Sequence, residues 1–281
     1  MTGTLITVAP TGAEHAKNDV PELPVTLDEL VRTAQECEQL GAAVVHLHVR
    51  DDDARPTLDP GRLRETVHAL RRETRLIVQL STGGAVTDSE ADRLAVLDAL
   101  PDAASCTMGT VNFGDEVFLN RWPFIVALHR GMQERGIAAE YEIFDLGQLA
   151  SLRRLLGEHG GPAGGHVHVG LVLGVPGGMP GDAATLVAAT IALAALDPTA
   201  TFSATGIGRA HLPVALAALS AGGHLRVGME DTLSFARGRP VTGNAELVGR
   251  ATELARIAQR PPLSADEGRV LLGVAKGDYA R

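Results

Sequence analysis

Short β-branched runs alternate with longer amphipathic segments eight times along this chain, and no other feature constrains its fold as much. The first run is Leu5–Ala9, and a capping box at 26–29, TLDE, opens the helix that follows it. Strands that alternate with helices pair in parallel. At 281 residues the chain is close to the ~250 residues of one (β/α)8 barrel, and closure removes the sheet edges. We therefore predict a single (β/α)8 TIM barrel, although periodicity alone also permits an open doubly wound sheet.

The predicted elements fill most of the chain. After the strand 5–9 and the helix 26–40, the predicted strands are 42–48, 76–80, 104–108, 138–143, 166–173, 201–204 and 225–228, and the helices are 60–73, 88–100, 121–135, 146–158, 182–196, 212–221 and 245–258. We find no linker, so the barrel is predicted to span residues 1–260. The remainder, 261–281, is a tail with an apolar turn near Val270, and it is a candidate for packing at a subunit interface.

Composition disfavours several classes of protein. A formal net charge of −9 argues against a nucleic-acid-binding protein, which usually carries a basic stripe. No apolar run approaches the ~18–20 residues that span a bilayer, so no membrane segment is predicted. The first residues lack the pattern of a signal peptide. Two cysteines, Cys37 and Cys106, fit a reducing cytoplasm better than a disulfide framework.

Lysine is nearly absent, because only Lys17 and Lys276 occur and arginine supplies the other basic side chains. A Schiff-base aldolase needs a buried lysine amine near the mouth of the barrel. Lys17 lies in a polar loop and Lys276 in the tail. Carbon–carbon chemistry here is therefore predicted to rely on a metal ion.

Two histidines at the end of the second strand are candidate ligands for such an ion. Active sites of (β/α)8 barrels lie where strands end and βα loops begin. Strand side chains alternate, so His46 and His48 share one face and can bind one divalent ion. A hydrogen-bonded pair of core histidines is the alternative. A similar pair, His166 and His168, lies low on the sixth strand and is predicted to be structural or to lie at an interface.

Two adjacent acids follow the eighth strand. One carboxylate can join the two histidines and leave a position open for substrate, while the other moves a proton. Side chains alternate along a strand, so Arg226 and Glu230 would share one face. Asp231 would lie on the other face unless the strand breaks before it. An ordinary acid that caps the next helix is the alternative.

Other strand ends carry weaker signals. Glu14, in the loop after the first strand, is a candidate for binding a substrate amine or orienting a ligand. Ser81 and Thr82 precede two glycines, whose backbone N–H groups can approach an anion. Glu142 is the best-placed acid after the fifth strand, and we count it with the catalytic residues. A glycine-rich loop at 174–181 is open enough to admit a long ligand.

In combination these segments resemble the β-keto acid cleavage enzymes. They are TGAEH (11–15), HLHVR (46–50), STGG (81–84), YEIFD (141–145) and GGHLRVGMED (222–231). HxHxR and GGxxRVGxED are the most specific, and the resemblance covers residues 3–250. It implies a (β/α)8 barrel, usually a homotetramer, with one zinc ion per subunit.

The resemblance also implies roles for the candidate residues. It implies that His46, His48 and Glu230 bind zinc, which acts as a Lewis acid on the β-keto acid. It implies a catalytic pair of Arg226 and Asp231, with Asp231 as the base and the arginine holding it ionised.

The substrate pocket is implied in the same way. Glu14, Ser81 and Glu142 match positions that line the pocket in the family. Thr82 is an alternative to Ser81. Thr107 lies where the family often has a small hydroxyl residue, so it is included as a substrate contact.

The implied reaction joins a β-keto acid to acetyl-CoA by a Claisen-type condensation, and a retro-Claisen step then releases acetoacetate and a new acyl-CoA. Two alternatives stay open: a CoA-independent metal-dependent aldolase or hydrolase on the same barrel, and a non-catalytic barrel with a structural zinc. Saturable dependence of the reaction rate on acetyl-CoA would distinguish the implied reaction from the first alternative. Structural zinc usually has four protein ligands, whereas the sequence offers three, which disfavours the second.

Overall fold

Eight parallel strands close into a barrel in which each strand pairs with its neighbours in the chain and the last strand pairs with the first. The computed structural model describes residues 3–274. The strands are β1 (Ile6–Val8), β2 (Val44–Leu47), β3 (Ile77–Leu80), β4 (Ala103–Thr107), β5 (Ala138–Ile143), β6 (His168–Leu173), β7 (Thr201–Gly206) and β8 (His224–Val227). The predicted (β/α)8 barrel is confirmed, and the open doubly wound sheet is wrong.

Helices surround the barrel and cover the outer faces of the strands. They are α1 (Leu27–Gln39), α2 (Pro60–Glu73), α3 (Glu90–Ala95), α4 (Trp122–Arg135), α5 (Gly147–His159), α6 (Ala183–Leu196), α7 (His211–Ser220), α8 (Asn244–Ile257) and α9 (Ala265–Leu272). The predicted capping box opens α1: Thr26 Oγ1 accepts from the Glu29 N–H, and the Glu29 carboxylate accepts from the Thr26 N–H. Among the helices of residues 3–274, none combines the length and apolarity that crossing a membrane requires.

The helix after β3 is shorter than predicted. Ser89 caps α3, which runs only to Ala95 and continues as a 3₁₀ turn over Val96–Ala99. Leu100 then adopts a left-handed conformation with φ of 51°. Leu100 precedes Pro101, and the residue before a proline is disfavoured in the helical conformation. The helical segment therefore ends at Ala99, one residue before the predicted end at Leu100, and the chain then turns into β4.

Two hairpins, which the sequence did not predict, lie in βα loops at the carboxyl ends of the strands. The first pairs Val111–Phe113 with Glu116–Phe118 after β4, and the second pairs Ser234–Ala236 with Arg239–Pro240 after β8. Strands of two or three residues are too short to display an alternating pattern. The first hairpin adds Phe113 and Phe118 to the cavity at the mouth of the barrel.

The C-terminal tail covers the opposite end of the barrel. Leu263, Leu272 and Val274 join a buried cluster with residues at the beginning of the strands, among them Leu5 and Ile77. The Leu263 N–H donates to the Thr4 carbonyl at 2.9 Å. Residues 261–274 therefore pack on the barrel of their own chain. Packing of the tail against a second subunit stays a prediction, and the part of it at 275–281 lies outside the described residues.

The histidine pair near the start of β6 is held by hydroxyl groups of β7. His168 contacts Thr201 Oγ1 through Nδ1 at 2.8 Å and Ser203 Oγ through Nε2 at 2.9 Å. His166 Nε2 contacts the same Thr201 hydroxyl at 2.8 Å. Every ring nitrogen of His168 is thus used within the barrel, which agrees with a structural role for that residue.

Candidate active site

Three potential metal ligands meet at the mouth of the barrel. His46 lies on β2, His48 follows the end of β2, and Glu230 lies in the loop after β8. Their ligand atoms all lie within 4.8 Å of one another. The Glu230 Oε1 atom is 3.9 Å from His46 Nε2 and 3.7 Å from His48 Nε2. Strands β1, β2 and β8 are neighbours in the barrel, so barrel closure brings together residues that are far apart in the chain.

The protonation state of His46 suits a metal ligand. Its Nδ1 lies 2.6 Å from the Gln79 side-chain oxygen, and an amide oxygen only accepts, so Nδ1 carries the hydrogen. The lone pair is then on Nε2, which faces Glu230. Burial is the main cause that lowers the pKa of His46 to about 3, and burial also lowers the pKa of His48. Both imidazoles are therefore neutral, which is the form that binds metals.

Gln79 was not singled out from the sequence. It pairs directly with His46 across β2 and β3, and partners of this kind fix the orientation of metal-binding imidazoles. The available signal was position: Gln79 and Ser81 are two residues apart and so share one face of the strand, and both are polar in an otherwise apolar run.

Glu230 has an oxygen that only a cation or a donor from outside the chain would satisfy. Its Oε1 accepts from Arg226 Nη2 at 2.5 Å, whereas its Oε2 is buried without a hydrogen-bond partner among the described residues. Burial raises the pKa of Glu230, but Arg226, His48 and His46 together outweigh burial and lower that pKa to about 2. An ionised carboxylate with a free buried oxygen beside two neutral imidazoles fits a divalent ion, and two nitrogens with one oxygen suit zinc.

Two glycines allow Glu230 to reach this position. A Cβ on Gly228 would lie 1.9 Å from the Ala9 carbonyl oxygen, and a Cβ on Gly12 would lie 2.5 Å from Glu230 Cγ. Because Gly228 lets β8 and β1 approach, the strand ends at Val227, and the Glu230 N–H donates to the Ala9 carbonyl at 3.1 Å. Because the strand breaks before Asp231, that side chain turns toward Arg226. The alternation of side chains along the strand had predicted the opposite orientation unless such a break occurred.

Arg226 is a buried cation shared by three carboxylates. Its Nε and Nη2 donate to the two oxygens of Asp231 at 3.1 and 3.0 Å, in a bidentate pair. Nη2 also donates to Glu230 and Nη1 to Glu142, the latter at 3.3 Å. The arginine, only 8% exposed, therefore links the predicted base, the third candidate metal ligand and the acid of β5.

The remaining carboxyl groups have pKa values suited to proton transfer near neutral pH. Burial raises the pKa of Asp231 to about 6, against the opposing effect of Arg226. Burial raises the pKa of Glu142 to about 7, again opposed by Arg226. Thr107 lies opposite Glu142 on the neighbouring strand, and its hydroxyl donates to Glu142 Oε2 at 2.9 Å. Perturbed acids in a cleft are typical of catalytic sites.

Ser81 and Thr82 differ in what their hydroxyls face. Ser81 lines the cavity at the mouth of the barrel. The Thr82 hydroxyl donates to the Ser105 carbonyl at 2.8 Å, and the Thr82 carbonyl accepts from Arg93. Because the Thr82 side chain is used inside the wall of the barrel, the geometry favours Ser81 as the substrate contact.

Glu14 lies at the rim of the cavity on a loop that Arg50 holds. The Arg50 Nη2 donates to the carbonyls of Gly12 and His15 at 2.6 and 2.9 Å, and its Nη1 donates to the Ala54 carbonyl at 3.1 Å. Glu14 is exposed but lines the same cavity. The arginine of the HxHxR motif, to which the sequence assigned no role, thus positions the loop after β1.

The cavity has a volume of about 380 Å³ and two unlike sides. His46, His48, Arg226, Glu230 and Asp231 lie on one side. The other side is apolar and includes Phe113, Phe118 and Phe144. A largely apolar cavity with a few convergent polar groups is the usual form of a small-molecule site.

No lysine lies among the cavity-lining residues of the described range. Lys17 Nζ donates to Glu29 at 2.5 Å and to the Leu23 carbonyl at 3.1 Å, and Lys276 lies outside the described residues. The absence of a Schiff base stays a prediction.

The chain matches known proteins over nearly its whole length. The beta-keto acid cleavage enzyme family matches residues 4–274. The 3-keto-5-aminohexanoate cleavage enzyme of Acetoanaerobium sticklandii is 36% identical over 278 residues, which cover 97% of this chain and 98% of that protein. The 3-oxoadipate:acetyl-CoA acetyltransferase of Cupriavidus necator is 34% identical over 271 residues, which cover 96% of this chain and 94% of that one.

Solved structures share the fold. An apo structure of ObcA aligns with a TM-score of 0.78 and 22% identity, over 91% of this chain and 66% of that chain. A ternary complex of ObcA with a C4-CoA adduct and oxalate aligns with a TM-score of 0.78 and 21% identity, over 90% of this chain and 68% of that chain. At this identity the likeness concerns the barrel alone.

Proposed function

This chain belongs to the beta-keto acid cleavage enzyme family, and we propose that it exchanges acyl groups between a β-keto acid and acetyl-CoA, giving acetoacetate and a new acyl-CoA. The names of two relatives, a 3-keto-5-aminohexanoate cleavage enzyme and a 3-oxoadipate:acetyl-CoA acetyltransferase, support the reaction class. The observation that carries the proposal is the Arg226–Asp231 pair, which lines the same cavity as His46, His48 and Glu230.

The metal of the proposed enzyme is zinc, held by His46, His48 and Glu230. The unpartnered Glu230 oxygen and the neutral Nε2 of His46 support this ligand set. When bound, zinc supplies Lewis-acid polarisation of the β-keto group. Gln79 keeps the His46 ring in place, and Arg226 keeps Glu230 ionised.

Asp231 removes the proton from the α-carbon of the β-keto acid. Its pKa, raised by burial to about 6, lies close to neutral pH, where a general base is most effective. Both of its oxygens accept from Arg226, so the arginine orients the carboxylate and keeps it ionised in the absence of water. Glu142, bonded to Arg226 and Thr107, fixes the other end of the guanidinium group.

The bonds exchanged balance without any further reactant. The α-carbon forms a bond to the acetyl carbon of acetyl-CoA as the carbon–sulfur bond breaks and the CoA thiolate leaves. The thiolate then attacks the original keto carbon of the acid, and the bond between that carbon and the α-carbon breaks. The resulting carbanion of acetoacetate takes back the proton from Asp231, and the new acyl-CoA is released.

Roles in the substrate pocket are proposed for three further residues, Ser81, Thr107 and Glu14. Ser81 lines the cavity and is preferred to Thr82, whose hydroxyl is bonded to Ser105. Thr107 acts through its hydrogen bond to Glu142. Glu14 lies at the rim, where it would meet the part of a ligand nearest to solvent.

Product analysis by mass spectrometry tests the proposal. Purified protein with zinc is incubated with acetyl-CoA and a β-keto acid, and each substrate is also supplied alone. We expect acetoacetate and the matching acyl-CoA only when both are present. Product from the acid without acetyl-CoA would support instead the CoA-independent aldolase or hydrolase.

The assembly is proposed to be a cytoplasmic homotetramer. Helix α6 has no charged residue from Ala183 to Leu196, and Val187 and Ile191 on it are 48% and 66% exposed. An apolar helix face of this kind is usually covered by another protein surface. Both cysteines are free and buried, in keeping with a reducing compartment. Light scattering of the purified protein measures the subunit number, and a monomer would contradict it.

A further inference from the structure

One side of the active-site cavity is a continuous apolar surface built from loops after neighbouring strands. We call it the aromatic wall. Its members lie at the end of β6 or in the loops after β3 to β7: Val86, Phe113, Phe118, Phe144, Val172, Val175, Pro176 and Ile207. A cavity that only had to hold acetyl-CoA and a small keto acid through polar groups would not need so much apolar surface at one place.

The wall is packed and fixed. Phe113, Phe118 and Phe144 contact one another edge to face, with ring centroids 6.3 to 6.4 Å apart. Val172 and Val175 pack in the same buried cluster. The first hairpin supplies two of the three rings, and the Gly114 N–H ties the hairpin to the loop after β6 through the Pro176 carbonyl at 2.9 Å. A ligand group therefore meets a preformed apolar surface.

No cation among the cavity-lining residues of the described range is free to pair with a negatively charged group at the wall. Among the cavity-lining residues in the described range, Arg226 is the only arginine or lysine. Its three guanidinium nitrogens already donate to Asp231, Glu230 and Glu142. A carboxylate placed against the wall would therefore lose water without gaining a partner, which is strongly unfavourable.

A positively charged group at the wall would also find no free partner. Glu142 is the carboxylate on that side, and both of its oxygens are occupied, by Arg226 and by the Thr107 hydroxyl. Glu14 lies after β1, which is opposite β5 in the ring of eight strands. An ammonium group that reached Glu14 would leave the aromatic wall.

We propose that the side chain of the β-keto acid is a neutral apolar group, such as an alkyl chain, and that it lies against the aromatic wall. This inference rests on the proposed function and specifies its substrate. The relatives do not decide the point, because their names include an amino acid derivative, 3-keto-5-aminohexanoate, and a dicarboxylic acid, 3-oxoadipate.

Three six-carbon acids that differ at the far end test the inference: 3-oxohexanoate, 3-keto-5-aminohexanoate and 3-oxoadipate. With zinc present and acetyl-CoA saturating, we expect kcat/KM to be at least about tenfold higher for the neutral acid, because a charged group against the wall has no partner. Extension to 3-oxooctanoate should raise kcat/KM by about fourfold for each methylene group that is buried. A charged acid as the best substrate would overturn the inference and leave the proposed function intact. No turnover of any acid would refute the proposed function itself.

Substitutions at Phe113 locate the side chain on the wall. Phe113 is partly buried on the first hairpin, so a longer side chain can be accommodated there. Phe113→Arg should raise kcat/KM for 3-oxoadipate relative to 3-oxohexanoate by about tenfold, the value of one modest charge-assisted contact. Phe113→Leu is the matched control and should keep the preference for the neutral acid.

The same variants separate the keto acid from the thioester. If the wall bound the pantetheine arm of acetyl-CoA, Phe113→Arg would raise KM for acetyl-CoA and leave the ranking of the acids unchanged, and that result would overturn the inference. Thermal unfolding checks that each variant is folded. Should Phe113→Arg fail to fold, Ile207→Arg, also on the wall and partly buried, replaces it with the same expected result.

Discussion

The two sides of the active-site cavity are built by different forces. The side formed by β8, β1 and β2 holds the candidate metal ligands and the Arg226–Asp231 pair in a network of hydrogen bonds and ion pairs. The aromatic wall, formed mainly after β4 to β7, is held by packing among Phe113, Phe118 and Phe144. A buried polar network needs every partner in place, whereas an apolar wall tolerates changes that preserve its volume. The chemistry and the choice of substrate can therefore change separately.

The largest expected effect is loss of the base on the polar side. Asp231→Asn should lower kcat by a factor of about 10² to 10⁴, because an amide cannot take the α-carbon proton. Zinc content should stay the same, because His46, His48 and Glu230 are retained. Turnover and metal analysis of the variant measure both effects. Asp28→Asn, an exposed change in the first turn of α1, is the control, and unchanged turnover of Asp231→Asn would remove that residue from the mechanism.

Loss of a ring from the wall should cost stability before it affects the metal. Phe144→Ala should lower the free energy of unfolding by about 3 kcal/mol, at the low end for a buried phenylalanine because one side of the ring faces the open cavity. Urea denaturation gives this value, and zinc content should match that of the wild type. Phe235→Ala on the second hairpin, outside the wall, should cost less. Loss of zinc from Phe144→Ala would show that the two sides of the cavity are not independent.

A smaller effect is expected from Gln79, the partner of a proposed metal ligand. Gln79→Ala removes the acceptor that holds the Nδ1–H of His46. Metal affinity should fall by about 10-fold to 100-fold, the usual effect of losing such a partner. Competition with a chelator of known affinity measures it, with Gln39→Ala on the exposed face of α1 as the control. Equal retention of zinc by both variants would mean that packing alone orients the His46 ring.

The smallest expected effect concerns a buried histidine that lies outside the active-site cavity. Its titration should make the stability of the fold depend on pH. His211, at the start of α7, has no hydrogen-bond partner for either ring nitrogen among the described residues, and burial lowers its pKa from 6.5 to about 4. Below pH 6.5 the unfolded chain therefore binds a proton that the folded chain does not. The contribution of His211 to stability is fully present above pH 6.5 and is lost as the pH falls toward 4.

Urea unfolding at pH 7 and pH 5 tests this sign. The wild type should lose stability between the two values, and His211→Leu should lose less. His68→Leu, on the exposed face of α2, is the control and should behave like the wild type. The same pH dependence in all three proteins would show that other groups determine it.

Local patterns predicted much of this molecule. The alternation of elements predicted the barrel, and the capping box at Thr26 predicted the start of α1. The two-residue spacing of His46 and His48 predicted that they share one face of their strand. These features depend on neighbours within a few residues, so they can be read from the chain. The short hairpins and the 3₁₀ end of α3 involve too few residues for such patterns.

Long-range contacts had no such local signal. The Gln79 oxygen that meets His46, the Arg50 guanidinium group that holds the loop at 12–15, and the α9 helix that covers the base of the barrel all join segments far apart in the chain. Resemblance to a family linked Arg226 with Asp231. Their actual contact, however, depends on the close approach of Gly228 to Ala9, which turns the chain after β8.

The sequence by itself determined the eight-fold strand and helix pattern, the position of polar residues at strand ends and, through resemblance, the class of enzyme. The tertiary structure alone decided that most of those polar residues gather on one side of the cavity and that three phenylalanines from two loops form the opposite wall. The physical reason is that alternation is a local property of the backbone. The distance between two loops, in contrast, depends on the register of every strand between them and on closure of the barrel.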